Sequence, residues 1–443
     1  MSNQKYIISK YTIITEIEYG FLIYNMLNGL LTHIYDKELM KQVKIMQEGE
    51  FLEGALDKRL IRAFCKKVNA DEKAVAISNN IKSLWNSRRI GFIIIPNYKC
   101  NFKCIYCYEE HNNKEMSSDI VFNLINAIKK YIDMHDLKQL RIEWFGGEPL
   151  LSINIINNVS NEINEYINDK AINAEFGMTT NGYLLNDEYV DTLYKKSFKF
   201  FQITVDGGER SHNMARPLKN GDPTWHVILS NLERMSKRKN WDFKVTIRIN
   251  YNYDTLENID QLFDFISKKL DNRFNVYFRP VGKWGGKNDN NLDIVQEEHL
   301  NIINDLLIKQ ASGKIISVDR HYDDYNPMGM ICYAADPYNY TLDYNGDIRK
   351  CTDKIEDKND FNIIGTYKRG EFEINNTKLS DFIIPNWMRG KDTKCIECKF
   401  LPVCFGQLCP FSRIKFNKVR CVGNTDITLA AVLRARLLYY NSR

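Results

Sequence analysis

Strand-like and helix-like patterns alternate through the middle of the chain, from about residue 89 to residue 320. Short apolar runs predict strands at 90–95, 140–144, 174–178, 199–205, 243–249 and 274–278. The segments between them carry apolar residues at helical spacing, as at Val121, Leu124, Ile125, Ile128 and Ile132. Six strand-helix repeats predict an α/β domain with a mostly parallel sheet, arranged as a partial (β/α)6 TIM-like barrel. Its active site should lie at the C-terminal ends of the strands.

Residues 1–88 have a different pattern, which predicts a separate N-terminal α+β module. Alternating or apolar runs at 11–17, 20–27 and 30–35 predict a small antiparallel sheet, with the turn signal Asn28-Gly29 before the third run. Charged, helix-prone stretches follow at 37–48 and 56–85. The run 60–68 is typical of a helix, and Cys65 within it is expected to be a buried core thiol.

The last segment, residues 321–443, is predicted to be a third domain that metal ligands stabilise. Its short Tyr-rich and Gly-containing stretches are too broken to form a large apolar core. It nevertheless holds seven of the eleven cysteines, and bound metal can supply folding energy.

Composition and charge exclude several classes of protein. The hydrophobic content of 44% and charged content of 26% over 443 residues are typical of a soluble multidomain protein. No apolar run approaches the roughly 18 residues that span a bilayer, and the first residues lack the apolar core of a signal peptide. We therefore expect a cytoplasmic protein without a membrane partner. The net charge of +5 is spread along the chain, which argues against nucleic acid as a partner.

Three cysteines, Cys100, Cys104 and Cys107, directly follow the first predicted strand of the barrel. A closed structural zinc site needs four protein ligands, whereas this CxxxCxxC triplet offers three. Three thiolates so close together suit an iron-sulfur cluster that keeps one iron open to a ligand from outside the protein.

The triplet, with the aromatic Tyr106 before its last cysteine, resembles the signature of the radical SAM enzymes. The resemblance implies a [4Fe-4S] cluster on Cys100, Cys104 and Cys107, whose fourth iron is chelated by the amino and carboxylate groups of S-adenosyl-L-methionine. It also assigns these cysteines to the catalytic machinery and Tyr106 to the cofactor site.

Gly146, Gly147, Glu148 and Pro149 follow the second predicted strand and look like the family's site for the amino group of S-adenosylmethionine. Paired glycines let a ligand approach the backbone, and a carboxylate can receive an ammonium group. Taken alone, this sequence is typical of a turn.

Polar residues at the ends of later strands extend the candidate site. Thr180 and Asn181 end the third strand, where they can bind a ribose or simply form a turn. By resemblance to the peptide-modifying branch of the family, Asp206 and Arg216 are expected to face the active site, with Asp206 in a catalytic role. Arg248, in the fifth strand, is a candidate for the cofactor carboxylate or for a structural ion pair.

The C-terminal cysteines resemble the SPASM extension of the radical SAM enzymes. The pattern comprises a Cys, Gly346 and a second Cys, then a run of four cysteines, then a final one. By resemblance, one auxiliary [4Fe-4S] cluster is held by Cys395, Cys398, Cys404 and Cys421. A second is held by Cys332, Cys351 and Cys409. The gap between Cys404 and Cys409 is one residue longer than the usual pattern, and the last gap is short.

The second auxiliary set has three cysteines, so one of its irons is either open or closed by another kind of ligand. An open iron can bind a substrate thiolate and present sulfur to a carbon radical. The alternative for this region is a zinc-ribbon-like site of four thiolates with spare cysteines.

Together these patterns predict a radical SAM maturase that modifies a ribosomally made peptide, with a thioether or other crosslink as the product. The N-terminal module is similar to the elements that hold a leader peptide as an added strand, so its exposed edge is expected at 11–17 or 20–27. The expected partners are a small precursor peptide and an electron donor such as flavodoxin or ferredoxin.

Two alternatives remain open from the sequence. The first is an anaerobic sulfatase-maturating enzyme, which forms formylglycine. Those enzymes place an Asp directly after the Cys that follows the Gly, whereas here Thr352 stands there and Asp353 comes next. The second is a non-catalytic electron-transfer or zinc-dependent binding protein, against which the Gly-Gly-Glu-Pro sequence argues.

Overall fold

The structure, a computed structural model, describes residues 4–283, 286–352, 360–421 and 426–441. By its internal contacts the chain divides into two compact units. The first comprises Met1–Trp85, His321–Asp336 and Phe382–Leu437, and the second comprises Asn86–Arg320, Pro337–Asp381 and Leu438–Arg443. Residues 321–443, which the sequence pattern predicts as one domain, therefore contribute to both units.

The first unit begins with two small antiparallel sheets and three helices. The elements are β1 (Lys5–Ile8), β2 (Thr12–Ile17), β3 (Gly20–Asn25), β4 (Leu30–Ile34), α1 (Lys37–Glu48), β5 (Phe51–Leu52), α2 (Lys58–Phe64), β6 (Cys65–Lys67) and α3 (Glu72–Leu84). One sheet has the strand order β2-β3-β4, and the other has the order β5-β1-β6. An aspartate caps each helix, because the side chains of Asp36, Asp57 and Asp71 accept hydrogen bonds from backbone N–H groups of the first turn.

Three expectations for this region are corrected. The predicted helix at 60–68 ends at Phe64, because Cys65 is extended and pairs with Ile8 of β1. Cys65 is only partly buried, although it packs against the apolar cluster of the module. The expected edge strand at 20–27 is instead the central strand β3, whose residues are all buried, so β2 and β4 form the edges of that sheet.

The second unit contains the predicted strand-helix repeats. Its elements up to residue 313 are β7 (Arg89–Ile94), α4 (Ser118–Met134), β8 (Gln139–Trp144), α5 (Ile153–Ile167), β9 (Asn173–Thr180), α6 (Asp187–Tyr194), β10 (Phe198–Thr204), α7 (Glu209–Ala215), α8 (Trp225–Lys237), β11 (Lys244–Tyr251), α9 (Tyr253–Glu257), α10 (Ile259–Lys269), β12 (Phe274–Pro280) and α11 (Leu300–Gly313). Strands β7 to β12 are parallel and lie side by side in chain order. Helix α4 buries the predicted apolar face. The α/β fold with a large, mostly parallel sheet is thus confirmed.

The remaining elements follow in chain order. They are α12 (Asp319–Tyr325), β13 (Asn339–Leu342), β14 (Asp347–Arg349), β15 (Ile363–Thr366), β16 (Glu373–Ile374), α13 (Asn376–Ile383), α14 (Lys394–Glu397), α15 (Leu401–Cys404), α16 (Pro410–Phe416) and α17 (Asp426–Asn441). Strand β13 pairs in parallel with β7, and β14, β15 and β16 continue the sheet in antiparallel fashion. The described part of this sheet is therefore open, with ten strands, and its first six carry the repeats. None of the helices in the described ranges is both long and apolar enough to cross a membrane.

Candidate functional site

The three cysteines of the CxxxCxxC triplet line one cleft at the C-terminal ends of the parallel strands. Cys100 is buried, and Cys104 and Cys107 are partly exposed. The open space of the cleft, including the part continuous with solvent, is about 920 Å³.

Two glycines let the cysteine loop lie directly against the loop that follows β8. A Cβ at Gly146 would stand 2.6 Å from the carbonyl oxygen of Asn97, and one at Gly147 would stand 2.1 Å from that of Lys99. Gly146 also has a φ of +121°. Any side chain at either position would push the cysteine loop away, so the glycines fix where that loop lies.

Glu148 lies behind the cleft, with its carboxylate fully buried. Its Oε1 accepts hydrogen bonds from the backbone N–H of Leu150 at 3.0 Å and from the hydroxyl of Thr180 at 2.8 Å, and its Oε2 accepts one from the N–H of Asn181 at 2.8 Å. Burial raises its pKa, while these hydrogen bonds oppose that shift. Glu148 joins the ends of β8 and β9, and neither it nor Pro149 is among the cleft-lining residues.

Thr180 and Asn181 do line the cleft. Their polar atoms are shared with the protein, because the Thr180 hydroxyl donates to Glu148 and the Asn181 side-chain amide donates to Asn101 Oδ1 at 2.7 Å. Glu148 thus holds both residues at the rim, next to Gly146 and Gly147. The structure thus brings the predicted residues after β8 and β9 together, and Glu148 is the residue that positions them.

A second buried network centres on the hydroxyl of Tyr106. This hydroxyl donates to Asp206 Oδ2 and accepts hydrogen bonds from Arg216 Nη1 at 2.6 Å and Asn250 Nδ2 at 3.0 Å. Asp206 Oδ1 accepts a further hydrogen bond from the N–H of Asn250 at 2.8 Å. Arg216 and Tyr106 line the cleft, whereas Asp206 is buried behind them. Asp206 therefore does not face the cleft as the sequence analysis expected; it holds Tyr106 and Arg216 in place.

Arg248 lines the cleft from β11, and its Nε donates to Asn250 Oδ1 at 2.8 Å. Arg216 lines the cleft as well, so two guanidinium groups border it. The Nε of Arg216 is buried and has no hydrogen-bond partner among the described residues. Two cationic groups at the end of a parallel sheet suit a carboxylate-bearing ligand.

Sequence reasoning missed several residues that line the cleft: Thr179, Gln202, Thr204, Asn250 and His111. Gln202 and Thr204 on β10 repeat the spacing of Arg248 and Asn250 on β11, with one apolar residue between the members of each pair. Alternate residues of a strand share a face. Polar residues two apart at the C-terminal ends of neighbouring strands are the signal that would have identified Gln202, Thr204 and Asn250.

The thiol chemistry of the cleft fits a bound cationic cluster. Burial raises the pKa of Cys100 to about 12 and also raises the pKa values of Cys104 and Cys107. Thiolates at such positions are favoured when a metal binds them. Within the described ranges no three His, Cys, Asp or Glu side chains converge on a point that holds a single metal ion. Cysteines of a four-iron cluster bind separate irons and need no such convergence.

The C-terminal cysteines are partly brought together. One cleft in the first unit is lined by Cys395, Cys398, Cys404 and Cys421, with Arg420 beside them. Cys332 and Cys409 also belong to the first unit, where the N–H of Cys332 donates to the carbonyl of Gln407 at 3.1 Å. Cys351 belongs to the second unit, and its shared cluster with Cys332 and Cys409 stays a prediction.

Comparison with known protein families identifies the region that contains the cleft. Residues 94–266, which include the cysteine triplet, Glu148, Tyr106 and Arg216, match the model of the radical SAM superfamily. This part of the chain is therefore a radical SAM domain.

Several curated proteins are similar to parts of this chain. An uncharacterized protein of Methanocaldococcus jannaschii is 31% identical over 169 residues, which cover 38% of this chain and 54% of the relative. The radical SAM cyclopropyl synthase TigE of Paramaledivibacter caminithermalis is 22% identical, covering 54% and 57%. The chain thus spans little more than half the length of these two. A serine-type anaerobic sulfatase-maturating enzyme of Bacteroides thetaiotaomicron is 22% identical, covering 71% and 80%.

Two solved structures share the fold of this chain at 15% identity each. The protein anSMEcpe, solved with bound AdoMet and the Cp18Cys peptide, has a TM-score of 0.60, and the match covers 80% of this chain and 100% of that one. SuiB of Streptococcus suis, bound to the precursor peptide SuiA, has a TM-score of 0.51 and covers 90% and 95%.

Proposed function

We propose that this radical SAM enzyme modifies a ribosomally made peptide and installs a thioether or other crosslink. The observation that carries the proposal is the cleft itself, where three thiols, two glycines and two arginines meet at one end of the parallel sheet. When bound and reduced, the cluster and S-adenosylmethionine supply a 5′-deoxyadenosyl radical that abstracts a hydrogen atom from the substrate.

The protein's own residues would bind and orient the cofactor. The backbone of Gly146 and Gly147 would lie against its amino group, and Arg216 or Arg248 would pair with its carboxylate. Thr180 and Asn181 would lie beside its ribose. Tyr106, held by Asp206, would keep Arg216 in position. The buried floor of the cleft would exclude water from the radical.

The first unit supports a peptide substrate. Its sheet β2-β3-β4 ends in β4, which pairs on one side only among the described residues. On the opposite edge, the side chain of Arg434 donates to the carbonyl of Glu16 in β2 at 3.1 Å. An extended leader peptide would therefore add to β4. SuiB, of similar fold, has been solved with its precursor peptide.

The auxiliary cysteines would complete a SPASM domain with two further [4Fe-4S] clusters. The shared cleft of Cys395, Cys398, Cys404 and Cys421 supports the first of them. Such clusters would accept the electron that leaves the substrate radical, which an oxidative crosslink requires. An external one-electron donor such as flavodoxin or ferredoxin would reduce the cluster of the cleft.

Formylglycine formation in a sulfatase is the second candidate function. The sulfatase-maturating relative of Bacteroides thetaiotaomicron aligns with 71% of this chain, a larger share than the other relatives described above. Thr352 after Cys351, where those enzymes carry Asp, argues against it.

The proposal is tested by co-expressing the enzyme with a short Cys-containing peptide encoded by a neighbouring gene, and by analysing the peptide by mass spectrometry. We expect the peptide to lose two hydrogen atoms, the enzyme to carry about twelve irons, and both results to depend on Cys100, Cys104 and Cys107. A peptide that returns unchanged, together with a sulfatase Cys or Ser converted to formylglycine, would select the second candidate. Zinc in place of iron, without 5′-deoxyadenosine, would exclude both.

The edge-strand assignment has its own test. A charge in place of Leu30, which begins β4 and is 49% exposed, should weaken leader-peptide binding in the Leu30→Lys variant. Tyr19→Lys is the matched control, because Tyr19 is 73% exposed and lies in the turn before β3. Equal binding by both variants would place the leader elsewhere.

A further inference from the structure

We propose that His111 sets the reduction potential of the cluster held by Cys100, Cys104 and Cys107, by donating a hydrogen bond from Nε2 to the sulfur of Cys107. The inference rests on the cluster of the proposed function. It concerns a histidine that neither the CxxxCxxC signature nor the family match assigns to a role.

The contact is direct. Nε2 of His111 lies 3.4 Å from Sγ of Cys107, and the imidazole lines the cleft. The other ring nitrogen, Nδ1, is buried and makes no hydrogen bond within the described residues. The backbone of Tyr98 is a further polar neighbour of the imidazole. Nε2 is the ring nitrogen that lies within hydrogen-bond distance of a predicted cluster ligand.

The backbone fixes the imidazole in this place. The N–H of Asn112 donates to the carbonyl of Tyr98 at 3.3 Å, and the N–H of Tyr98 donates to the carbonyl of Lys114 at 3.0 Å. These two bonds tie the segment after the triplet back to the segment before it. His111 is thus part of the loop that carries the cysteines and stays beside Cys107 when that loop is in place.

The chemistry of the bound state sets the direction of the hydrogen bond. A thiolate that binds iron carries no proton, so the hydrogen between the two atoms must come from Nε2. Hydrogen bonds to cluster sulfurs are one of the features that set cluster potentials. Reduction adds negative charge to the cluster, and a donated hydrogen bond stabilises the reduced form more than the oxidised form. His111 should therefore raise the potential and make the first electron transfer easier.

Cys107 is also the ligand where this effect can be tested by substitution. The sulfur of Cys100 accepts a hydrogen bond from the backbone N–H of Phe102 at 3.4 Å, which no side-chain change removes. Cys107 differs because, besides the backbone N–H of Glu109, a side chain, that of His111, lies within hydrogen-bond distance of its sulfur. Replacing that side chain changes one hydrogen bond and leaves the loop backbone intact.

The experiment is an anaerobic redox titration of the full-length, reconstituted enzyme, followed by EPR. The signal of interest is the one that the triple variant lacking Cys100, Cys104 and Cys107 does not show. In His111→Leu we expect the equilibrium constant for its one-electron reduction to fall by about threefold to tenfold, and tenfold corresponds to 59 mV. In His111→Gln, which keeps an N–H donor, we expect part of the shift to be recovered.

His226→Leu is the matched control, because His226 is exposed and pairs with Glu209 at 3.0 Å. An unchanged potential in His111→Leu, at full iron content, would overturn the inference and leave the proposed peptide modification untouched. If His111→Leu fails to hold iron, the wild-type enzyme labelled with ¹⁵N-histidine decides. Pulsed EPR should then show a nitrogen coupling to the reduced cluster that His226→Leu retains and His111→Gln lacks, and its absence from the wild type would overturn the inference.

Discussion

The hydroxyl of Tyr98 donates a hydrogen bond of 2.8 Å to Oδ1 of Asp343. Tyr98 lies two residues before Cys100, and Asp343 directly follows β13. The cysteine loop is therefore anchored by a residue that lies 245 positions after Tyr98 in the chain. Asp343 is buried, and its Oδ2 accepts from Nε of Arg349 at 2.9 Å. The ring of Tyr344 packs edge-on against Tyr98 at a centroid distance of 4.8 Å.

The contact of Tyr98 with Asp343 predicts that substitutions at these two residues lower stability by different amounts. Tyr98→Phe removes one hydrogen bond to a carboxylate, and we expect the free energy of unfolding to fall by about 1–3 kcal/mol. Asp343→Ala leaves Arg349 buried without its nearest carboxylate, and we expect a loss of about 3–5 kcal/mol. Urea denaturation of the purified variants measures both, with iron content followed in parallel. Equal effects of the two substitutions would show that the Arg349 pair contributes nothing beyond the Tyr98 bond.

Glu148→Gln should reduce both stability and affinity for S-adenosylmethionine. The glutamine side chain has one acceptor oxygen, so either the N–H of Asn181 or the donors at Oε1 lose their partner, at a cost of about 1–3 kcal/mol. Thr180 and Asn181 lose the side chain that holds both of them. The affinity for S-adenosylmethionine and the urea denaturation midpoint should therefore both fall. Calorimetric titration and urea denaturation measure the two effects. Glu175→Gln, at an exposed position of the neighbouring strand β9, serves as the control.

If Glu148 instead contacted the cofactor directly, the result would differ. Affinity would then fall without a change in the denaturation midpoint. That outcome would contradict the positioning role that its buried hydrogen bonds indicate.

Tyr106→Phe should weaken cofactor binding and leave the iron content unchanged. The hydroxyl accepts from both Arg216 and Asn250, and its removal releases Arg216 from its position in the cleft. We expect the Kd for S-adenosylmethionine to rise about tenfold, which corresponds to about 1.4 kcal/mol. Tyr108→Phe, at another aromatic residue of the cleft, is the matched control. An unchanged Kd in Tyr106→Phe would remove Arg216 from the set of cofactor ligands.

The thiol of Cys65 should make the free energy of unfolding depend on pH in a way that does not involve the iron-sulfur clusters. Burial raises its pKa from 9.0 to about 12, with a smaller contribution from the nearby charge of Glu72. Between pH 9 and 12 the folded state therefore holds a proton that the unfolded state releases, and the thiol's contribution to stability falls as the pH rises. The stability difference between wild type and Cys65→Ala should narrow from pH 8 to pH 11. A difference in urea midpoints between wild type and Cys65→Ala that stays constant from pH 8 to pH 11 would contradict this prediction.

The repeats of the sheet were predictable because their signals are local. Each predicted strand from 90–95 to 274–278 overlaps an observed strand, since apolar runs bounded by polar segments define strands without tertiary information. The pairing of β13 with β7 was not predictable, because it joins residues about 250 positions apart that carry no mutual signal. Cys65 was misread for a related reason: its pairing with Ile8 overrides the local helical pattern.

The residue types of the candidate site were also predictable, but their orientations were not. The triplet and the glycines follow a strand, so their place at its C-terminal end follows from topology. Whether a carboxylate faces the cleft or supports it from behind depends on its hydrogen-bond partners. Glu148 and Asp206 both proved to be held by backbone N–H groups of neighbouring strands, which the sequence does not reveal.

The division of the first compact unit among three separate segments has a consequence for how the protein is made. Residues 1–85 emerge from the ribosome long before their partners at 321–336 and 382–437. At about 5–20 residues per second, the roughly 350 residues between Trp85 and Leu437 take about 20–70 s to add. The second unit can fold much of its parallel sheet during that interval. The cysteines at 395–421 appear after the whole parallel sheet, so a chain that stops before residue 395 would carry the Cys100, Cys104 and Cys107 triplet without a finished first unit.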